Sequence, residues 1–190
     1  VLIVGDFGFQ LPPISKNIGE KVQEMTFDNI DNVVYHTEQK RTKCNKLKTL
    51  LNNLRTLIQA RVQYTQCLPL LKNHLEIITK AQLKKEYTKK DMILCSQHTF
   101  KDEYTEMFKD IEKYYVTENN SLYQNGMIIY ENVKDVKSEL RHAYTIHSIQ
   151  GETCENNLYI DLRKQKSLRM IYTAISRAKY INQVKLLNGR

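Results

Sequence analysis

The sequence predicts an α/β domain built on a mostly parallel sheet, and three observations carry the prediction. Short apolar runs at Val1–Val4, Met92–Cys95, Asn157–Ile160 and Gln183–Leu187 read as buried strands. Between them lie longer stretches whose apolar residues recur at three- and four-residue steps, the period of an amphipathic helix. The 190 residues are 41% hydrophobic and 26% charged, enough for a core that hides roughly 70% of the unfolded chain's surface. Strands that alternate with helices pair in parallel.

The elements follow in chain order. Val1–Val4 ends at Gly5-Asp6, where a strand opens into a loop bent by Gly5 and Gly8 and stiffened by Pro12 and Pro13. Residues 15–32 are polar and weakly patterned. From Lys43 to Ile58 the stripe Leu47, Leu50, Leu51, Leu54, Leu57, Ile58 predicts a helix. A second helical stretch is expected around 68–87, a strand at Met92–Cys95, and a helix over Asp102–Tyr114 with Tyr104, Met107, Phe108 and Ile111 on one side. Gln124-Asn125-Gly126 reads as a hairpin turn between Leu122-Tyr123 and Met127–Tyr130. Ala143–Ile149 leads into a helix or turn at Gln150-Gly151. Asn157–Ile160 is a strand, Arg169–Ala178 a helix start, and Gln183–Leu187 the final strand.

Composition narrows the function. Twenty-nine basic against 21 acidic residues give +8 and a pI near 9.2, which points to an acidic partner, nucleic acid first. A solvated basic surface is the plain alternative. No apolar run approaches the ~20 residues of a membrane helix, and no signal peptide opens the chain. Cys44, Cys67, Cys95 and Cys154 lie far apart without a CxxC, so neither a zinc ribbon nor a disulfide framework is expected. The five histidines lack metal-site spacing, and an intracellular reducing compartment fits. The chain opens at Val1, inside a strand, so it reads as part of a longer protein.

Three short segments carry chemistry. Gly5-Asp6-Phe7-Gly8-Phe9-Gln10-Leu11-Pro12-Pro13 places the amide of Gln10 beyond a strand's carboxyl end, where ligands of open α/β sheets bind; a structural turn is the bland reading. Thr145-Ile146-His147-Ser148-Ile149-Gln150-Gly151-Glu152-Thr153 supplies hydroxyl, imidazole, amide and bare backbone donors, groups that suit phosphate oxygens. In Ile171-Tyr172-Thr173-Ala174-Ile175-Ser176-Arg177-Ala178, an arginine placed at a helix start could grip a terminal phosphate with both arms. Any one of these alone reads more simply as a satisfied polar surface group. Seven basic and no acidic residues between Lys40 and Arg61, and the basic loop Arg163, Lys164, Lys166, Arg169, could each lie along DNA. Such lysines more often face solvent.

In order and spacing, the three segments resemble motifs III, V and VI of superfamily 1 helicases, nearest the Pif1/RecD-like branch. There, motif III reads Gly-Asp…Gln-Leu-Pro-Pro, motif V Thr-[Ile/Val]-His-x-x-Gln-Gly-x-Thr and motif VI Tyr-[Thr/Val]-Ala-[Ile/Leu]-[Ser/Thr]-Arg-Ala. His36-Thr37-Glu38-Gln39-Lys40-Arg41 resembles motif IV more loosely. The resemblance runs from Val1 to about Leu187. One departure is that three residues, not two, separate Asp6 from Gln10.

The resemblance implies a RecA-like P-loop NTPase fold. Residues 1–32 would end the first RecA-like domain and 33–190 would form the second, with the boundary near 30–35. ATP would bind between the domains. Gln10 would sense the γ-phosphate, Gly5 and Asp6 would border the nucleotide, and Arg41 and Arg177 would act as arginine fingers. Gly151 and Glu152 would lie near the cleft. Thr145, His147, Gln150 and Thr153 would contact single-stranded DNA, while Tyr144 and Tyr172 would be core. The implied function is ATP-dependent 5′-to-3′ translocation and duplex unwinding. The chain has no G-x-x-x-x-G-K-[ST], and Asp102-Glu103 sits in a helical pattern as a solvated face, a poor Walker B. The P-loop and the Mg²⁺ ligands are therefore expected in a preceding RecA-like domain. Two alternatives stand: an inactive DNA-binding remnant, and an RNA helicase of the same superfamily. The region between Met92 and Leu140 leaves little room for a large SH3-like insertion, of which Met127–Tyr130 could be a vestige.

Overall fold

In the computed structural model, residues 40–149, 152–165 and 167–187 are described. The first strand and loop with Gly5, Asp6 and Gln10, the expected domain boundary, and Gln150, Gly151 and Lys166 lie outside them.

The leucine stripe produces α1 (Asn45–Gln59). Leu47, Leu50, Leu51 and Leu54 are buried, with Leu57 and Ile58 partly buried beside them. The stretch read as one helix over 68–87 is three elements instead: α2 (Tyr64–His74), β1 (Glu76–Ile78) and α3 (Lys80–Glu86). The break is a capping box. The Gln82 N–H donates to the Thr79 hydroxyl at 3.2 Å, and the Thr79 N–H donates to the Gln82 side chain at 2.8 Å, so a helix must begin at Lys80.

Strand β2 (Met92–Cys95) is wholly buried, as its apolar run predicts. The next helix, α4 (His98–Met107), starts and ends earlier than the expected Asp102–Tyr114. Beyond it the chain turns at Phe108, whose carbonyl accepts the Ile111 N–H at 2.9 Å. It then forms β3 (Tyr114–Val116), which pairs antiparallel with β4 (Ile128–Ile129) and β5 (Ser138–Leu140) in the order β4-β3-β5. Gly126 does make a tight turn, with φ +98° and its N–H on the Val116 carbonyl at 2.9 Å. The partner of β4 is β3 rather than Leu122-Tyr123. The Asn120 side chain accepts both Leu122 and Tyr123 N–H groups, at 2.9 and 2.7 Å, which satisfies their backbone in a loop.

Strands β6 (Ala143–Thr145) and β7 (Leu158–Asp161), helix α5 (Leu168–Ile175), a 3₁₀ turn (Ile181–Gln183) and β8 (Val184–Leu187) complete the chain. The main sheet has the order β1-β8-β7-β2-β6, and every pairing in it is parallel. Helices cover both faces. Residues of α1, α2 and α5 pack in one apolar cluster with Leu94, Ile160 and Leu186, and Leu83 of α3 and Tyr104 of α4 pack in the other with Ile93, Tyr159 and Leu187. Alternate residues of each strand thus feed opposite layers, the arrangement that a parallel sheet buried on both faces requires. No helix among the described residues is long and apolar enough to cross a membrane.

Between the two sheets lies a buried polar cluster. Lys113 is 2% exposed and His142 0%. The Lys113 ammonium donates to the Asp91 carbonyl and reaches the Tyr87 hydroxyl at 3.5 Å, and that hydroxyl shares a hydrogen bond with His142 Nδ1 at 3.1 Å. Burial lowers His142 to about 4 and Lys113 to about 8. Both groups bind protons less readily folded than unfolded, so stability rises with pH across each window. It should fall as pH drops from 6.5 towards 4, and climb again between about 8 and 10.5. Lys113→Met should abolish the upper climb and leave the acid limb. Urea titrations at stepped pH would read this, and a climb that survives the substitution would rule out Lys113 as its source.

Candidate functional site

Among the described residues, the segments that the sequence singled out lie at two edges of the main sheet: the loop after β6 at the carboxyl edge, and Arg177, past the end of α5 and beside the residues that lead into β7, at the amino edge. Strand β6 ends at Thr145, and Ile146 N–H donates to the Cys95 carbonyl at the end of β2, at 3.0 Å. A tight turn follows. The Thr145 hydroxyl donates to Ser148 Oγ at 3.1 Å, and Ser148 Oγ donates to the Thr145 carbonyl at 2.9 Å. Thr145, 7% exposed, therefore builds the turn, while Ser148 stands exposed on it. His147 is half-buried, and desolvation lowers its pKa, so at neutral pH it is an uncharged hydrogen-bonding imidazole. Glu152 is exposed and Thr153 half-buried.

Arg177 lies at the C-terminal end of α5, not at a helix start as its segment first suggested. The reason is chemical: a helix leaves its last carbonyls without partners, and a guanidinium satisfies them. Its Nε donates to the Thr173 carbonyl at 3.0 Å, Nη2 to Ser176 Oγ at 2.9 Å, and Nη1 to the Glu152 carbonyl at 3.3 Å. The Cys154 N–H donates back to the Arg177 carbonyl at 2.8 Å. Segments 152–154 and 173–177 are thereby laced together, and the Arg177 side chain is 1% exposed at the join.

Arg41 reaches the same place from before α1, with Nη1 on the Ser176 carbonyl at 3.1 Å. Ser176 thus touches both candidate arginines, one through its hydroxyl and one through its carbonyl. Sequence reasoning passed over it; its position between a helix end and the arginine was the available signal. Arg55 was also missed as an individual contact. Its Nε donates to the Tyr172 hydroxyl at 2.9 Å and joins α1 to α5. Tyr144 and Tyr172, 2% and 3% exposed, are core as expected.

Two expectations fail nearby. Glu103 is not simply solvated: it accepts from Lys80 and from Arg163 Nη1. Arg163 does not simply face solvent either. Its Nε and Nη2 bind Asp161 at 2.8 and 2.6 Å, and its guanidinium lies 4.0 Å from the centre of the Phe100 ring. Asp161, 0% exposed at the end of β7, needs that compensation.

No family model and no curated protein matches the sequence. Solved structures do. The Pif1 helicase of Candida albicans superposes with a TM-score of 0.67 at 12% identity, over 96% of this chain and 63% of that one. A Bacteroides Pif1 helicase in complex with ADP-AlF3 and single-stranded DNA gives 0.64 at 16% identity, over 94% and 60%. Bacteroides Pif1 bound to single-stranded DNA gives 0.61 at 17%, over the same shares. The chain thus spans about three fifths of the length of these structures, and at such identities the likeness is one of fold. The five-stranded parallel sheet between two helical layers is the RecA-like fold of the Pif1 helicases, and this chain carries it.

Proposed function

We propose that this chain is the C-terminal motor half of an ATP-dependent DNA helicase. The observation that carries the reading is the convergence of Arg41 and Arg177 on Ser176, beside the segment 152–154 that continues from the β6 loop. Two guanidiniums at one point suit the terminal phosphate of ATP, which a preceding RecA-like lobe would hold with Mg²⁺. The reading assigns the Mg²⁺ ligands to that lobe as well, with the P-loop that this sequence lacks. ATP supplies the driving free energy. The chain's own part is to place positive charge against the phosphate and to bind the strand with His147, Gln150, Thr153 and the turn that Thr145 builds. Arg177 bonds the Glu152 carbonyl, so any shift of its guanidinium pulls on the loop that faces the strand; that is the coupling the reading needs. Movement is 5′ to 3′ on this reading, in a reducing intracellular compartment that suits the free thiols of Cys44, Cys67, Cys95 and Cys154.

A second reading has its own support. The near-complete burial of Arg177 and its backbone partners fit a structural clasp, which favours an inactive remnant that binds strands without hydrolysis. ATP hydrolysis by the complete protein, measured with and without single-stranded DNA, separates the two. The motor reading expects marked stimulation by DNA, and a rate indifferent to DNA would sink it. Matched single-stranded RNA as competitor addresses the RNA alternative: DNA should compete at the lower concentration.

A further inference from the structure

Acids hold many of the basic side chains in this fold, as Glu155 holds Lys179 and Glu118 holds Lys137. In one short stretch four lysines lack such an acid among the described residues. Lys84, Lys85, Lys89 and Lys90 fall within seven residues, at the end of α3 and in the turn before β2, and all four are exposed. The one acid within this stretch, Glu86, and the acid that follows it, Asp91, are turned to other work. Glu86 binds Lys185 at 2.8 Å. Asp91, 1% exposed, accepts the Thr88 N–H at 2.7 Å, the Thr88 hydroxyl at 2.9 Å and the Asn157 N–H at 3.1 Å. Four ammonium groups are left crowded on one short stretch with no ion pair among the described residues. The crowding costs free energy that a bound polyanion would recover.

The neighbouring surface is aromatic. The Lys89 ammonium lies 5.6 Å from the centre of the Tyr130 ring; Tyr130 is 38% exposed just past β4, and Met127 just before β4 is also exposed. Glu131 beside it is an exposed acid without an ion pair among the described residues. The patch sits at the amino edge of the main sheet, since it leads into β2, whereas the β6 loop is at the carboxyl edge. A four-residue strand separates the edges by about 13 Å. The two surfaces are therefore distinct.

We propose that this amino-edge patch is a second nucleic-acid contact: Lys84, Lys85, Lys89 and Lys90 grip backbone phosphates, and Tyr130 offers its ring to a base or sugar. Lysines without fork geometry suit phosphate rather than base edges, and an exposed ring among them favours a polynucleotide over an acidic protein. The proposal extends the strand-binding reading above, but its test needs no hydrolysis.

The test compares the complete protein with its Lys84→Gln/Lys85→Gln/Lys89→Gln/Lys90→Gln variant, by fluorescence anisotropy on a labelled oligothymidine and on a labelled duplex across a salt series. All four side chains are exposed, so the variant should keep its melting temperature. Expected at low salt is a loss of affinity of about tenfold or more. The slope of log K against log salt should shrink by up to about 2.8 on the single strand or about 3.6 on the duplex, one phosphate per lysine. The probe whose slope shrinks identifies the strand form that the patch holds. Tyr130→Ala should add a further loss on the oligothymidine alone if a base stacks there. Unchanged affinity and slope on both probes would overturn the proposal. His147→Ala, tested in parallel, reports on the carboxyl-edge loop: failure there with an intact lysine effect tells against the first site and not the second.

Discussion

Arg177→Ala is expected to slow DNA-stimulated ATP hydrolysis in the complete protein by about 10³–10⁵-fold while largely sparing affinity for single-stranded DNA. The magnitude follows from the task assigned to the residue. A guanidinium that meets charge developing on the transferred phosphoryl group acts in a site from which water is excluded, where each donor counts for most. The structural clasp complicates the variant, because removing the guanidinium strips donors from the Thr173 and Glu152 carbonyls. Two companions resolve this. Arg177→Lys keeps the charge and loses the fork, so it should stay folded and remain slow. Ser176→Ala removes only the hydroxyl that fixes Nη2, and leaves the carbonyl that Arg41 uses. It should lower kcat with little change in the KM for ATP, and Ser176→Thr should restore it. Near-normal turnover in Arg177→Ala would refute the finger assignment. A Ser176→Ala enzyme with wild-type kcat would remove Ser176 as a positioning residue while leaving Arg177 in place.

The parts of this fold that could be read in advance are those whose signal is local. Met92–Cys95 emerges with the predicted bounds, because a four-residue apolar run bounded by polar residues has few other uses. Helix α1 emerges because its leucines keep one face over four turns. The stretch 68–87 misleads for a physical reason: Leu71, Leu75, Ile78 and Leu83 keep roughly helical spacing across a strand, and only the Thr79–Gln82 cap shows where a helix must restart. In the candidate site, motif spacing singles out Arg41 and Arg177, whereas nothing local singles out Ser176. Its importance arises only when two segments 135 positions apart meet. The same holds for Arg163. A basic residue in a loop looks solvent-facing until the strand before it is known to end in a buried carboxylate.

That carboxylate gives the second large effect. Arg163→Ala is expected to destabilise the fold by about 3–5 kcal/mol, the cost of leaving a buried charge without its partner. Asp161 is fully buried, and although the Tyr104 hydroxyl at 2.9 Å and the Arg163 backbone N–H at 2.8 Å would remain, neither carries charge. The damage should spread along the carboxyl edge. The Arg163 guanidinium also holds Glu103, which in turn holds Lys80 at the start of α3, and the Ser96 hydroxyl just past β2 binds the Arg163 carbonyl at 2.9 Å. In a domain of this size the expected fall in Tm is about 10 °C. Asp161→Asn combined with Arg163→Ala should lose less than the sum of the single changes, since the pair would be removed together rather than split. Had Arg163 been a DNA contact, the single substitution would leave Tm unchanged and weaken strand binding. Calorimetry beside anisotropy on the same protein therefore decides between the clamp and the contact, and a variant that melts like wild type would refute the clamp.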